Sequence, residues 1–126
     1  MSKNVVYSAQ APEPIGPYSQ AIQFGNMLFI SGQIAIQKPS NNLITDNIED
    51  ETRQVMKNIG EILRAAGMDF SNVVKSTIFL KDFNDFAHVN QIYGSNFPSS
   101  PPARETVEVS RLPKDVNVEI SCIAIQ

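Results

Sequence analysis

An arginine and a glutamate in the last third of the sequence could act together on a small anionic molecule. Arg104 and Glu119 lie in two segments of alternating apolar and polar residues, 104–110 and 116–122, which a short loop joins. An arginine fork can hold a carboxylate by two parallel hydrogen bonds, and a glutamate can act as a general base. The alternative is an exposed ion pair, which is worth about 0–1 kcal/mol.

The position of Glu119 relative to Arg104 depends on how the two segments pair. Their alternation predicts a hairpin in which Ser110 faces either Val116 or Asp115. We expect the second register, because it alone keeps the apolar residues of both segments on one face. That register places Arg104 on the same face as Glu119 and diagonal to it.

A pair of hydroxyl groups, Tyr18 and Ser31, follows from another predicted hairpin. Residues 21–24 and 27–30 flank Gly25-Asn26, which is typical of a two-residue type II′ turn. The turn fixes the register, which places Tyr18 on the same face as Ser31 if the strand continues. The two hydroxyls could line a pocket, or Tyr18 could be a half-buried ring on a solvated sheet face.

Asn90 falls within the apolar stripe of a predicted helix. We expect this helix at 83–93 after the cap Asp82, because its apolar residues recur at helical spacing. The stripe comprises Phe83, Phe86, Ala87 and Tyr93. A buried amide without a hydrogen-bond partner costs about 1–3 kcal/mol, so Asn90 is expected to bind either a neighbouring loop or a ligand.

The remaining elements predict an α+β fold. A longer helix is expected from about 48 to 66, between the cap Asn47 and the terminator Gly67, and a strand at 73–80 follows it. In the order β-β-(β)-α-β-α-β-β, both helices pack on one face of a sheet. The other face mixes polar and apolar residues, so we expect further copies of the chain to cover it.

Composition excludes several classes of protein. The sequence has 126 residues, of which 42% are hydrophobic and 18% charged, which predicts one domain over residues 1–126. We expect a cytoplasmic protein without a membrane partner, because there is no apolar run of ~20 residues and no signal-peptide pattern. A single cysteine, Cys122, and a single histidine, His88, argue against an internal disulfide and a metal site. The net charge of −3 argues against a nucleic-acid partner.

Three stretches together resemble the RidA (YjgF) family of reactive-intermediate deaminases. They are IGPYSQA at 15–21, FISGQ at 29–33, and 102–120, which contains PAR, VEV, RLPKD and VEI. The resemblance extends over nearly the whole chain. It implies a chorismate-mutase-like mixed sheet with two helices on one face, assembled as a homotrimer around a central β-barrel, with active sites between subunits.

The resemblance also implies an enzymatic activity. Members of the RidA type hydrolyse 2-iminobutanoate and 2-iminopropanoate, the imine forms of 2-aminocrotonate and 2-aminoacrylate, to 2-keto acids and ammonia. The substrates are released by pyridoxal-phosphate dehydratases, and the deaminase itself uses no cofactor or metal. Adding water to the imine carbon needs a base and no covalent nucleophile, which agrees with a sequence that offers no Ser-His or Cys-His pair.

Individual residues match the pocket residues of that family. The resemblance implies that Arg104 binds the substrate carboxylate and that Glu119 positions and deprotonates water. Tyr18 and Ser31 would orient water or substrate, and Asn90 would contact the substrate. These assignments follow from the family motifs and not from spacing.

Thr106 stands where many RidA-type members carry a cysteine, and we count it among the substrate-binding residues. Regulation through that thiol is therefore not expected here. Two other functions stay open: a 2-keto-acid-binding regulator of branched-chain (isoleucine) synthesis, and an RNA-directed translation inhibitor. Glu119 argues for catalysis, because simple anion binding has no use for a carboxylate, and the net charge of −3 argues against RNA.

Overall fold

A mixed six-stranded sheet with two α-helices on one face makes up the fold. The computed structural model describes residues 2–126. The elements are β1 Lys3–Val6, β2 Ala21–Phe24, β3 Met27–Gln33, α1 Ile48–Ala65, β4 Val73–Leu80, α2 Phe86–Gly94, β5 Ala103–Glu108 and β6 Val118–Ile125. Their order across the sheet is β1-β2-β3-β6-β4-β5, and β4 and β5 run parallel. The predicted α+β fold is confirmed.

The core lies between the helices and one face of the sheet. Ile78 of β4 and Ile120 of β6 are directly opposite each other, and both are fully buried. Val55 and Ile59 of α1 are fully buried too. Each such side chain stabilises the fold by roughly 1.5–3 kcal/mol through its removal from water. We call this side of the sheet the helix face and the other side the open face.

The first predicted hairpin is confirmed. Phe24 pairs with Met27, and Gly25 between the strands has a φ of +61°, a value that favours glycine at this turn position. The backbone N–H of Ser31 donates to the carbonyl of Gln20 at 2.9 Å, so these residues are opposite each other as the turn predicts.

The prediction that this strand continues to Tyr18 is wrong. β2 begins at Ala21, and the N–H of Tyr18 donates to the carbonyl of Gly16 at 2.9 Å. This tight turn removes the Tyr18 backbone from the ladder. The segment is held instead by the buried amide of Gln20, which donates to the carbonyl of Pro12 at 2.9 Å.

The predicted hairpin between β5 and β6 is also wrong. β5 pairs with β4 in parallel, and β6 lies antiparallel between β3 and β4. Arg104 is opposite Ser76 and so points to the helix face, whereas Glu119 is opposite Phe79 and points to the open face. Alternation within a strand shows which residues share a face and carries no information about the partner strand. The two residues expected on one face therefore lie on opposite faces.

The long helix agrees with its prediction. The Asn47 side chain caps α1 by accepting a hydrogen bond from the N–H of Asp50 at 2.8 Å. Gly67 follows the helix with a φ of +72°. A Cβ at Gly60 would lie 3.2 Å from the ring of Phe70, so the helix packs closely on this ring through its glycine.

The second helix begins later than predicted and buries a different stripe. Asp82 caps a single 3-10 turn, Phe83–Asp85, and α2 starts after it. A 3-10 helix has 3.0 residues per turn and an α-helix has 3.6, so a 3-10 turn changes the face on which the residues after it lie. Val89 and Tyr93 form the buried stripe, and Ala87 is exposed.

The open face keeps large apolar side chains in contact with solvent. Phe29, Val107 and Ile125 point to this side and are 41%, 42% and 37% exposed. An apolar surface of this kind favours association. Among the helices of residues 2–126, none is both long and apolar enough to cross a membrane.

Candidate active site

A cavity of about 360 Å³ opens where β3 departs from regular pairing with β6. Ile30 is opposite Cys122 and Gln33 is opposite Ile120, so Ser31 and Gly32 share one position of the partner strand. Such a bulge turns side chains away from the regular pleat. Both residues line the cavity as a result.

Glu119 lies at the floor of this cavity, and its carboxylate packs on Gly32. The side chain is half-buried, and that burial raises the pKa of Glu119 above its ordinary value of 4.5. Within residues 2–126 its carboxylate has neither an ion-pair partner nor a hydrogen-bond partner. A desolvated glutamate without a partner is a stronger base than a solvated one.

Tyr18 and Ser31 line the same cavity with opposite hydrogen-bonding roles. The Ser31 hydroxyl donates to the carbonyl of Ser19 at 2.6 Å, which leaves its oxygen as an acceptor toward the cavity. The Tyr18 hydroxyl accepts from the N–H of Ile15 at 3.2 Å, which leaves its proton to donate. The two predicted hydroxyls come together, although Tyr18 reaches the cavity from a loop and not from a strand.

Arg104 lies elsewhere, at the edge of the helix face. Its guanidinium carbon is 5.7 Å from the ring centroid of Phe86 and 5.2 Å from that of Tyr93, both on α2. Within residues 2–126 no carboxylate lies within ion-pair distance of it. Its charge is compensated by ring faces, so its N–H donors are available to a ligand.

Two polar atoms near Arg104 are buried without a hydrogen bond: Asn90 Oδ1 and Thr106 Oγ1. Thr106 is two residues from Arg104 on β5 and therefore on the same face. Asn90 lies one turn of α2 from both ring residues, Phe86 and Tyr93. An unpaired buried polar atom costs about 1–3 kcal/mol, so both oxygens favour a ligand that donates hydrogen bonds.

The predicted site residues therefore form two groups in one chain. Tyr18, Ser31 and Glu119 line the cavity and are called the base group below. Arg104, Thr106 on the same face of β5, and Asn90 on the helix that carries both ring residues are called the clamp group. The groups lie on opposite faces of the sheet, so one chain does not bring all six residues together. In residues 2–126 no cluster of three His, Cys, Asp or Glu side chains could hold a metal ion.

Glu51 contributes to the site indirectly and was missed from the sequence. Its carboxylate is fully buried and accepts hydrogen bonds from Asn117 N at 2.7 Å, Asn117 Nδ2 at 2.8 Å and Val118 N at 3.2 Å. These bonds fix the start of β6 one residue before Glu119. The signal was its helical phase, because Glu51 precedes the buried Val55 by one turn of α1.

Comparison with known proteins places the chain in a family. The family model described as endoribonuclease L-PSP matches residues 8–126. The chain belongs to this family.

Relatives within the L-PSP family carry several descriptions. A RutC family protein of Pyrococcus horikoshii is 54% identical over 97% of each chain. The 2-iminobutanoate/2-iminopropanoate deaminase of mouse is 47% identical, over 98% of this chain and 92% of its own. The solved structure of E. coli TdcF with bound serine superposes with a TM-score of 0.92 at 36% identity and covers 98% of both chains. The resemblance to reactive-intermediate deaminases is confirmed at the level of the L-PSP family, and so is the mixed sheet with two helices that it implies.

Proposed function

We propose that the protein is a 2-imino acid deaminase that hydrolyses 2-iminobutanoate and 2-iminopropanoate to 2-keto acids and ammonia. The observation that carries the proposal is the complementarity of the two groups. The clamp group has a cation and two unsatisfied polar atoms but no base. The base group has an unpartnered carboxylate but no cation. The deaminase name of the mouse relative, at 47% identity, supports the same chemistry.

The two groups would meet between subunits of a homotrimer. The exposed Phe29, Val107 and Ile125 of the open face support such an assembly, because packing them against a neighbour removes apolar surface from water. The base group of one chain would then receive the clamp group of the next. Sedimentation of the protein at micromolar concentration tests this: a stable monomer of 13.9 kDa contradicts it.

The proposed reaction adds water across the protonated C=N bond. Arg104 holds the substrate carboxylate by two parallel N–H donors. Glu119 takes a proton from the attacking water, whose oxygen bonds to the imine carbon to form a carbinolamine. Glu119 then returns that proton to the amine nitrogen. The C–N bond breaks as the hydroxyl oxygen forms the keto group, and the released ammonia takes the hydroxyl proton and leaves as ammonium. Enamines enter the same route after tautomerising to imines.

A coupled assay tests the activity. Threonine dehydratase supplies 2-aminocrotonate, and the appearance of the keto acid is followed with and without the protein. We expect acceleration by the wild type, near-complete loss in Arg104→Ala and Arg104→Lys, and full activity in Arg64→Ala, whose side chain is 78% exposed. No acceleration by the wild type contradicts the proposal.

Glu119→Gln separates catalysis from binding. Glutamine keeps size and hydrogen bonding but cannot take the proton, so turnover is expected to fall about 10²–10⁴-fold. Calorimetric binding of 2-ketobutyrate should survive, because Arg104 remains. If the variant hydrolyses the imine as fast as the wild type, the base assignment is wrong and a keto-acid-binding regulator becomes the better description.

A further inference from the structure

One of the two rings beside Arg104 is anchored more firmly than the other. Tyr93 donates its hydroxyl proton to Ser76 Oγ at 2.8 Å, and its ring packs against Phe97 with centroids 4.8 Å apart. Phe86, the second ring beside Arg104, stacks instead on Phe83, which is 43% exposed. The Tyr93 ring is thus held by a buried hydrogen bond and by the core, while the Phe86 ring is held at the surface.

Ser76 connects this anchor to the strand of Arg104. Ser76 on β4 is opposite Arg104 on β5, so both side chains leave the sheet on the same face at the same level. The Ser76 side chain is fully buried and also lies 3.4 Å from Cys122 Sγ. Ser76 therefore pairs with the backbone of Arg104 and also anchors the ring that packs beside its guanidinium.

The phenol of Tyr93 stays neutral at physiological pH. Burial raises the pKa of Tyr93 above 10.0, although Ser76 and Arg104 oppose this. A neutral phenol keeps the proton that it donates to Ser76. It also presents an uncharged ring face to Arg104, so the guanidinium is oriented without being tied into an ion pair that would compete with a ligand carboxylate.

We propose that Tyr93 is a positioning residue for substrate binding, whose ring, anchored on Ser76, holds the Arg104 guanidinium in the orientation that receives a carboxylate. The proposal rests on the deaminase function proposed above. An arginine side chain has several rotatable bonds, and ordering it before the ligand arrives lowers the entropy lost on binding. The carboxylate is held alike in the ground and transition states, so loss of this ordering should raise KM and leave kcat unchanged.

Three variants test the role of Tyr93. Tyr93→Leu removes the ring and Tyr93→Phe removes only its hydrogen bond, whereas Phe97→Leu damages the same aromatic cluster without touching Arg104. We expect Tyr93→Leu to raise both KM and the Kd for 2-ketobutyrate about tenfold, and Tyr93→Phe to raise them by a smaller factor, each with kcat within about twofold of wild type. Phe97→Leu should lower the melting temperature and change KM and Kd less than Tyr93→Leu does, because the hydrogen bond to Ser76 still holds the Tyr93 ring.

The outcomes separate the two proposals. An unchanged KM and Kd in Tyr93→Leu, or an equal change in Phe97→Leu, overturns the positioning role. If Tyr93→Leu does not fold, Tyr93→Phe and Ser76→Ala decide, because both keep the ring: unchanged constants in both overturn the role. A wild type that binds 2-ketobutyrate but hydrolyses no imine refutes the deaminase, and the binding constants then decide on Tyr93. A wild type that neither binds the keto acid nor hydrolyses the imine refutes both.

Discussion

The carboxylate of Glu119 occupies the space that a side chain at position 32 would need. A Cβ built on Gly32 would lie 2.8 Å from the carboxyl carbon of Glu119 and 3.1 Å from its Cγ. A side chain at position 32 would therefore have to displace the Glu119 carboxylate from its present place. The φ of Gly32 is not in the left-handed region, so close approach and not backbone conformation favours glycine here. The bulge of β3 and the position of the proposed base depend on each other.

Replacing Gly32 by alanine should displace Glu119 and reduce imine hydrolysis at least tenfold, because small misplacements of a catalytic group have large effects on rate. The measurement is the coupled dehydratase assay with a thermal melt of the same preparation. Gly94→Ala is the matched control, since a Cβ there meets nothing within 4 Å. That control should keep full activity and gain about 0.5–1 kcal/mol from the helix propensity of alanine. Equal activity in Gly32→Ala and wild type contradicts the placement of the base.

The activity should fall at acid pH with a midpoint above the ordinary glutamate range. A general base acts only when it is ionised, and burial raises the pKa of Glu119 above 4.5. Protonation therefore inactivates the enzyme as the pH falls through that higher value. The check is a profile of kcat/KM against pH for the wild type and for the residual activity of Glu119→Gln. If kcat/KM falls only at or below pH 4.5, or falls over the same pH range in both proteins, another group titrates.

Glu51→Gln should destabilise the protein by about 1–3 kcal/mol or more. In either orientation the glutamine NH2 faces an N–H donor, either the two backbone N–H groups or Asn117 Nδ2, whose amide would have to rotate, and the hydrogen bonds to a charged oxygen are lost. Equilibrium unfolding in urea measures the difference. Asp50→Asn on the same turn of α1 removes an exposed pair with Arg53 and should cost no more than about 1 kcal/mol. Similar losses in the two variants would mean that the buried network is not what stabilises β6.

The thiol of Cys122 should be inert in the folded protein. Cys122 is 3% exposed, and burial raises its pKa to about 11, so little reactive thiolate forms at pH 8. Titration with an aromatic disulfide reagent should detect no thiol before unfolding and one per chain in guanidinium. A Ser99→Cys variant, with an exposed thiol, provides the positive control. Rapid labelling of the native wild type would contradict this burial.

Features that depend on neighbouring residues could be predicted from the sequence. The turn at Gly25-Asn26 and the cap at Asn47 follow from backbone geometry and hydrogen bonds within three residues. Asn90 was placed at a partly buried position, although Val89 replaces Ala87 in the stripe. The 3-10 turn at Phe83–Asp85 changes which residues face the core, and the apolar spacing alone does not reveal such a turn.

Features that depend on distant pairing could not be predicted in the same way. The segments of Arg104 and Glu119 alternate as hairpin strands do, and nothing in that alternation reveals that β4 lies between them. Tyr18 was recognised through the family resemblance, while its predicted route along a strand failed. In the sequence Glu51 is one of three acids in a first helical turn, and the residues that bind it, Asn117 and Val118, lie more than sixty residues further along the chain.

The insertion of β6 between β3 and β4 also determines how the molecule can fold. β3 and β4 each pair with β6 and not with each other, and Asn26 bonds through its side chain and its carbonyl to Gln126, 100 residues further along the chain. Closing so long a loop costs entropy before any contact compensates for it, which slows folding. During synthesis on the ribosome, the earlier strands therefore remain two separate halves of the sheet, β1-β2-β3 and β4-β5, until β6 has emerged. The strand that carries the proposed base is thus the one that joins the halves, so Glu119 reaches its place only as the sheet is completed.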